Sequence, residues 1–322
     1  MTDGGRRDRV PGRESPCRIP QIDPAFPGHS VTANLKGALW IVCSCAAATV
    51  MTVGVRELSA TIQSMETAFA RSAVGLVVIA PFVVTAGVRT LRSRRWPLHL
   101  FRGLLGVGAV NLGFYALSKL PLATATVLFF TAPLFVTVFA GPLLGETIGW
   151  RRWCATAVGF LGTAVVVRPG TAGFDPDMLV PIASSVVFAL VLIVGKRLST
   201  TETPVTMMAY ASAVAALGTL PPALLVWVPP SPSELLLMLL VGVFGTARTY
   251  FDIRGYAAGE ASFVAPFQYT RILFVALAAY LVFAELPSAT DGLGATIIIS
   301  ATLYTAHREA RLARARRLAL GE

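Results

Sequence analysis

An all-α polytopic membrane protein, with ten transmembrane helices as two inverted five-helix repeats, is the fold expected of this 322-residue chain. The first observation behind it is composition: 55% of residues are apolar, only 14% are charged, and the mean hydropathy is +0.68. Soluble chains carry about 25% charged residues. The second is that cutting the chain where charges, Pro and Gly cluster leaves ten apolar stretches, enough to use nearly all of it. The third is an internal echo between TAPLFVTVFAGPLLGE (Thr131 to Glu146) and TRILFVALAAYLVFAE (Thr270 to Glu285), each ending on a carboxylate. Each copy is apolar for about the 20 residues that cross a bilayer core. They lie on the fourth and ninth stretches, an odd number of crossings apart, so they run in opposite directions and the repeat is inverted.

Taken in order, residues 1–33 are polar, rich in Pro and Arg, and read as a disordered cytoplasmic tail with no cleavable signal. The first span starts near Leu35 and carries Trp40, Cys43 and Cys45. The second starts near Ala68, where FARSAVGLVVIAPFVVTAGV shows no alternation of polarity. That run excludes a barrel strand and requires a helix, because backbone polar groups must be paired within hydrocarbon. The third, from Leu100, holds Gly103, Gly106 and Gly108, which permit close helix approach. The fourth, from Leu122, holds the first echo copy with Pro133. The fifth, from Trp153, follows Arg151 and Arg152 and contains Gly159 and Gly162. Residues 170–177, within RPGTAGFDPD, link the halves, so the repeats occupy 34–169 and 178–307 and a basic cytoplasmic tail follows over 308–322. The sixth and seventh spans start near Met178 and Thr206. The eighth starts near Leu235 and contains GVFGTARTYFDIRGYAA from Gly242, a looser echo of GLLGVGAVNLGFYAL from Gly103, matching Tyr256 with Tyr115. The ninth, from Ala261, holds the second echo copy behind Pro266, and the tenth starts near Leu293.

The net charge of +10 requires an explanation, and its distribution supplies one. With the N-terminus in the cytosol, inner segments collect the basic residues between Arg6 and Arg18, Lys36, Arg89, Arg92, Arg94, Arg95, Arg102, Arg151, Arg152, Lys196, Arg197, Arg254 and those from Arg308 to Arg317. Outer segments collect Arg56, Lys119 and Arg168. That bias of about seven to one places both termini inside by the positive-inside rule. It points to the cytoplasmic (inner) membrane, with the lipid bilayer rather than nucleic acid as partner. The four cysteines, Cys17, Cys43, Cys45 and Cys154, form no disulfide or metal framework, and no metal or cofactor is expected.

The segments FYALSKLPLATATVLFFTAPLF, LLGETIGWRRWCATAVGFLGTAVVVRPG, ASFVAPFQYTRILF and FAELPSATDGLGATIIISATLYTAHRE, in this order and spacing, resemble the EamA-type transporters of the drug/metabolite transporter superfamily, over roughly Leu35 to Glu309. The subset with APF, Tyr and a closing AELP looks most like a bacterial branch that includes riboflavin and S-adenosylmethionine importers. The resemblance implies ten helices, an inverted five-helix repeat, and alternating access to a central cavity lined by spans one to four and six to nine, with the fifth and tenth as scaffold. One departure stands out: Pro133 of the first repeat is matched by Ile272, and the second half carries Pro266 instead. Because Pro removes a backbone donor, the halves are expected to bend at different depths.

Three arginines fall inside predicted spans: Arg71, Arg248 and Arg271. A charge at the bilayer centre costs at least about 2.5–3.5 kcal/mol, so each should face protein or water. Arg271 lies nearest the midplane, with Phe267 and Gln268 one turn before it to stack and hydrogen-bond. It reads either as a substrate contact or as an anchor to a neighbouring helix. Arg248 and Asp252 stand four apart on one face, as an ion pair or a substrate contact; Asp252 is the first candidate if transport is coupled to protons. Arg71, with Glu66 five residues before it, reads as a substrate contact or as a snorkelling gate residue. Trp40, Asn111, Tyr115, Tyr256 and Tyr269 are aromatic or amide candidates, of which Trp40 and Tyr269 are expected to line the cavity and the other tyrosines an interfacial belt. Glu146 and Glu285 are expected to serve as structural helix ends that cap or pair with the loops following them.

The leading expectation is a secondary transporter for a small organic metabolite that is anionic, zwitterionic or rich in acceptors, because intramembrane arginines outnumber carboxylates. An intramembrane enzyme would need a nucleophile with its base, or a metal set. The histidines His29, His99 and His307 fall in the tail, a loop or a span end, and no HExxH or paired aspartates occur. A channel or structural membrane protein is the third class, and it lacks a charged ring or filter segment. No P-loop is present to drive a primary pump. Monomer and homodimer remain equally open.

Overall fold

The computed structural model describes residues 31–87, 91–145, 148–258 and 264–319, and not the side chains of 31, 86, 265, 306 and 308–319. Regular structure among the described residues is helical throughout: α1 (Val31–Leu58), α2 (Ser64–Ala86), α3 (Trp96–Lys119), α4 (Leu122–Phe129), α5 (Ala132–Leu144), α6 (Trp150–Val167), α7 (Leu179–Leu198), α8 (Pro204–Leu225), α9 (Pro232–Ala258), α10 (Thr270–Phe283) and α11 (Ala289–Ala319). Short 3-10 helices at Pro176–Met178 and Ala265–Tyr269 precede α7 and α10. Among the described residues, eight segments are long and apolar enough to cross a membrane: α1, α2, α3, α4 with α5, α7 with its 3-10 turn, α8, α9, and α10 with most of its turn. The fifth and tenth expected spans, α6 and α11, are helical but fall outside those eight. α6 has 18 residues and opens on Trp-Arg-Arg-Trp, and α11 continues into the arginine-rich segment up to Ala319, so no break marks the expected boundary at 307.

The expected fourth span is broken. α4 ends at Phe129 and α5 begins at Ala132, with Pro133 in its first turn. Pro at the start of a helix loses no hydrogen bond, and it disfavours helical continuation from the residue before it. In the second half Pro266 likewise sits in the first turn of the 3-10 segment, and α10 starts at Thr270. The echo aligns Thr131 with Thr270, so α5 and α10 start within one residue of matching positions, although Pro133 and Pro266 stand at different places in the echo. Each proline starts a helical segment instead of bending the middle of one. The far ends match as well: α5 closes on left-handed Gly145 (φ 70°) and α10 on left-handed Ala284 (φ 54°), each amide bonding back to two carbonyls. Alanine pays about 1–2 kcal/mol in that region and glycine does not. Ala284→Gly is therefore expected to stabilise the protein by about 1 kcal/mol, read as a raised Tm of the purified protein; an unchanged or lower Tm refutes the strain at this cap.

Contacts between the halves come in exchanged pairs. α1 rests on α9 and α3 on α7, α2 on α9 and α3 on α8, α1 on α10 and α5 on α7, while α2 pairs with α8 and α6 with α11. The closest backbone approach is between α6 and α11, where a Cβ on Gly294 would lie 2.8 Å from the Gly162 carbonyl oxygen and one on Gly162 would lie 2.9 Å from Ile297. Gly103 and Gly159 serve the same purpose against Val214 and Leu134, but Gly106 faces open space and Gly108 makes only ordinary contact, so those two are not packing glycines. The largest apolar cluster joins one end of the bundle: Leu58 and Ile62 after α1, Leu117 and Leu120 at the end of α3, Met238 early in α9 and Ala279 late in α10. Burial of this many apolar side chains against one another seals that end by the hydrophobic effect.

Candidate functional site

Away from the sealed end, two consecutive residues of α1 reach two other elements. Ser44 Oγ donates to Asp252 Oδ1 at 2.6 Å and lies 3.2 Å from the Arg248 carbonyl oxygen, both on α9. Cys45 Sγ contacts the carbonyl oxygens of Phe267 (3.7 Å) and Gln268 (3.5 Å) on the 3-10 turn. The residues are adjacent on a helix, about 100° apart, so one turn of α1 bridges α9 and the broken ninth span. Arg248 Nε stands 3.8 Å from Asp252 Oδ2, with 31% and 26% of the two side chains exposed. This pair is therefore partly exposed, and it lies away from the apolar cluster at the other end of the bundle.

Arg271, at the start of α10, and Arg71, on α2, each have a buried Nε with no hydrogen-bond partner among the described residues. Arg248 lies within electrostatic range of both, and Asp252 and Cys45 within range of Arg271. Arg71 owes its place to a glycine. A Cβ on Gly245 of α9 would stand 2.9 Å from Arg71 Nε and 3.1 Å from Met51 Sδ of α1, so any larger residue there would displace the guanidinium. Glu66 does not balance Arg71: it is fully buried and accepts a hydrogen bond from the Val228 amide at 3.2 Å. Arg248 and Arg271, from two helices, face the Asp252 carboxylate, and Arg71 from a third helix approaches Arg248. Two buried guanidinium donors left unpaired are costly in themselves and are suited to an acceptor-bearing ligand.

The remaining candidates separate by position. Phe267 packs with Phe274 against Ile41, Cys45 and Val264, while Tyr269 stacks on Phe130 at 5.1 Å and its hydroxyl meets Thr302 of α11. Trp40 lies 5.5 Å from the Phe251 ring and 6.3 Å from Tyr250, and Arg254 lies over Trp40 at 5.7 Å. Tyr115 and Tyr256 are exposed, the former beneath Lys119. Asn111 Nδ2 donates to the Val107 carbonyl, and its Oδ1 is buried without a partner. Glu146 lies outside the described residues. Glu285 binds across the bundle instead of its own loop: it accepts from Arg56 at 3.2 Å and from the Leu122 amide at 3.0 Å, and Arg56 also donates to the Leu117 and Leu120 carbonyls. Ser44, Cys45, Met51 and Gly245 carry no sequence signal of their own. Arg102, counted among the inner basic residues, lies within α3 across Gly195 of α7.

Comparison with known proteins bears on the family and the fold. The model of the EamA-like transporter family matches the chain twice, over residues 35–168 and 177–306. The S-adenosylmethionine uptake transporter of Rickettsia prowazekii (strain Madrid E) is 34% identical over 275 residues, covering 85% of this chain and 94% of the relative. The riboflavin transporter of Vibrio cholerae serotype O1 is 31% identical over 288 residues, covering 88% and 97%. The pseudopaline exporter CntI of Pseudomonas aeruginosa is 31% identical over 273 residues, covering 83% and 95%. A solved crystal structure superposes with a TM-score of 0.59 at 20% identity, over 87% of this chain and 98% of that one, a likeness of fold alone.

Proposed function

The chain belongs to the EamA-like transporter family, and from that premise we propose that it carries an anionic, zwitterionic or acceptor-rich metabolite across the cytoplasmic membrane by alternating access, reading it with Arg71, Arg248 and Arg271. It is a transporter of small metabolites and not an enzyme. The observation that carries the substrate class is the pair of buried, unpaired Nε–H groups of Arg71 and Arg271 beside Arg248 and Asp252. An amino-acid carboxylate, as on S-adenosylmethionine, or the carbonyl acceptors of a flavin ring would engage such donors in pairs. Gln268 and Tyr269 on the adjoining turn, with Phe267 and Trp40 around it, supply an amide and aromatic faces for the rest of the ligand. The relatives include an exporter as well as importers, so the direction of transport follows from coupling and not from the fold.

In this reading the two matched segments are five-helix repeats of opposite orientation, 34–169 and 178–307, joined by the outer loop 170–177. α6 and α11 then complete ten spans as scaffold, and both termini face the cytosol. The exchanged contact pairs and the matched helix breaks behind Pro133 and Pro266 support the repeat. The apolar end of the bundle is then the outer one, so the Arg248 and Asp252 pair is reached from inside. Asp252 is the proton-coupling carboxylate of this proposal, and monomer and homodimer fit it equally well. Uptake of S-adenosylmethionine, riboflavin and small carboxylates into proteoliposomes, with and without an imposed pH gradient, tests it. Saturable, substrate-dependent flux of at least one acceptor-bearing compound is expected; flux of none of them, or only of simple cations, sinks the substrate class.

A further inference from the structure

A second cluster of ionisable groups lies at the end of the bundle where α3 begins and α7 gives way to α8. His99 of α3 has no exposed side-chain surface, and neither ring nitrogen has a hydrogen-bond partner. Its ring stacks on Tyr210 of α8 at 4.4 Å, and Nε2 points at Glu202 Oε2 from 3.8 Å, beyond hydrogen-bond range. Glu202, in the turn between α7 and α8, is 12% exposed and accepts from Ser93 Oγ at 2.6 Å. The same segment is tied down by Tyr210 Oη donating to the Leu91 carbonyl at 2.8 Å and by Arg95 donating to the Arg197 carbonyl at 3.3 Å.

The repeat shows what is unusual here. Gln63 caps α2 and Thr203 caps α8, and when these caps are aligned Leu58 matches Leu198, both fully buried, while Ile62 matches Glu202. Aligning Gly103 with Gly242 matches His99 with Met238. Ile62 and Met238 belong to the apolar cluster that seals the opposite end. Two aliphatic residues of the cluster at one end of the bundle are thus replaced at the other end by an imidazole and a carboxylate, at a cost in desolvation that hydrophobic residues of that size would avoid.

We infer that His99 and Glu202 form a proton-binding site that latches the turn between α7 and α8 onto α3. The ligand is a proton, taken up by Nε2 of neutral His99 through Glu202, whose partial exposure gives it contact with water. No other bond forms or breaks. With the proton bound, the imidazolium N–H donates to Glu202 and the 3.8 Å gap closes to a charge-assisted hydrogen bond. When the proton leaves, a neutral ring faces a carboxylate already engaged by Ser93, and the latch is weaker. The charged and polar groups facing His99 are Glu202 from the turn, Tyr210 from α8, Arg102 one turn along α3, and Ser93 with Arg95 before it. Glu202 is the carboxylate among them, and it is the partner to which an imidazolium N–H would donate. The consequence reaches the arginine site through α8, which packs on the helix that carries Arg71. The inference rests on the transporter reading for its purpose, but its test needs no substrate.

The test is spin-label electron paramagnetic resonance on the full chain with Cys17, Cys43, Cys45 and Cys154 replaced and labels at Arg94→Cys and Thr201→Cys, both exposed beside the latch. Between pH values of about 5.5 and 8.5, which bracket histidine titration, the parent is expected to shift from one short interlabel distance to a longer, broader distribution with a single midpoint. His99→Met, which copies the apolar counterpart, is expected to lose the shift, and Glu202→Gln to move its midpoint to lower pH or remove it. Elution of each variant as a single folded species guards against misfolding, and the glutamine variant carries the test if the methionine variant does not fold. A distance unchanged with pH in the parent, or an undiminished shift in the variant that folds, overturns the proposal. Absence of transport in proteoliposomes with the pH shift intact would instead count against the transporter reading alone.

Discussion

Replacing Arg271 with alanine is expected to abolish transport while leaving the protein as stable as the parent, or more stable. Both halves of that result come from the same geometry. The Arg271 Nε–H is buried and pairs with nothing among the described residues, and Arg248 beside it adds repulsion. An unpaired charge in a span costs the fold at least about 2.5–3.5 kcal/mol on insertion scales, so removing it relieves a burden. For a bound carboxylate or carbonyl the same group is the partner, and truncating one side of a buried charged hydrogen bond costs about 2–5 kcal/mol. That is roughly 30-fold to more than 1,000-fold in affinity. Arg271→Lys keeps the charge but loses the planar fork, and intermediate flux is expected of it. The measurements are uptake of the compound that the wild type transports and Tm in the same detergent. A lower Tm with flux retained would make Arg271 a helix anchor, and wild-type flux in the alanine variant would remove it from the site.

The reverse relation between stability and function distinguishes this arginine from the polar pairs at the ends of the bundle. Arg56 and Glu285 satisfy one another and cap the chain ends around Leu117, Leu120 and Leu122. The Nε–H groups of Arg71 and Arg271 have no partner among the described residues. Local destabilisation kept at one place in an otherwise consistent fold is what a binding site costs its protein.

Hydropathy was enough to read an all-helical chain of membrane-spanning segments, because a spanning segment is a local property of about 20 residues. The prolines marked an irregular place in each half, but the break at residues 130–131 and the start of α10 at a matching place needed the structure, since Pro133 and Pro266 stand at different places in the echo. The charged residues were legible as candidates only. That Arg71 lies in a groove opened by Gly245, that Ser44 holds Asp252, and that Glu285 binds Arg56 are relations between residues far apart in the chain. Nothing in the neighbouring sequence of any of them signals the partner. The apolar run of the third span begins only near Leu100, which leaves His99 in the loop by hydropathy; the helix itself begins at Trp96 and carries the ring against Tyr210.

Asp252→Asn is expected to separate exchange from net transport. The side chain keeps its shape and can still accept from Ser44 Oγ, so the contact between α1 and α9 survives. What is lost is the negative charge 3.8 Å from Arg248 and within range of Arg271. With three arginines and no counter-ion, an anionic or zwitterionic substrate should bind at least as tightly as before and leave more slowly. Proton-coupled return of the empty carrier should fail, because no group remains at the site to take up and release the proton. Counterflow, in which labelled substrate outside exchanges for unlabelled substrate inside, is then expected to persist, while uptake driven by a pH gradient falls at least about tenfold, the equivalent of about 1.4 kcal/mol. Net uptake that still follows the pH gradient in this variant would remove Asp252 from the coupling step. Loss of counterflow together with net uptake would make it a structural partner of Ser44 and Arg248 instead. The two outcomes differ because a proton carrier is needed only when the empty site must return, whereas a structural partner is needed on every passage of the loaded one.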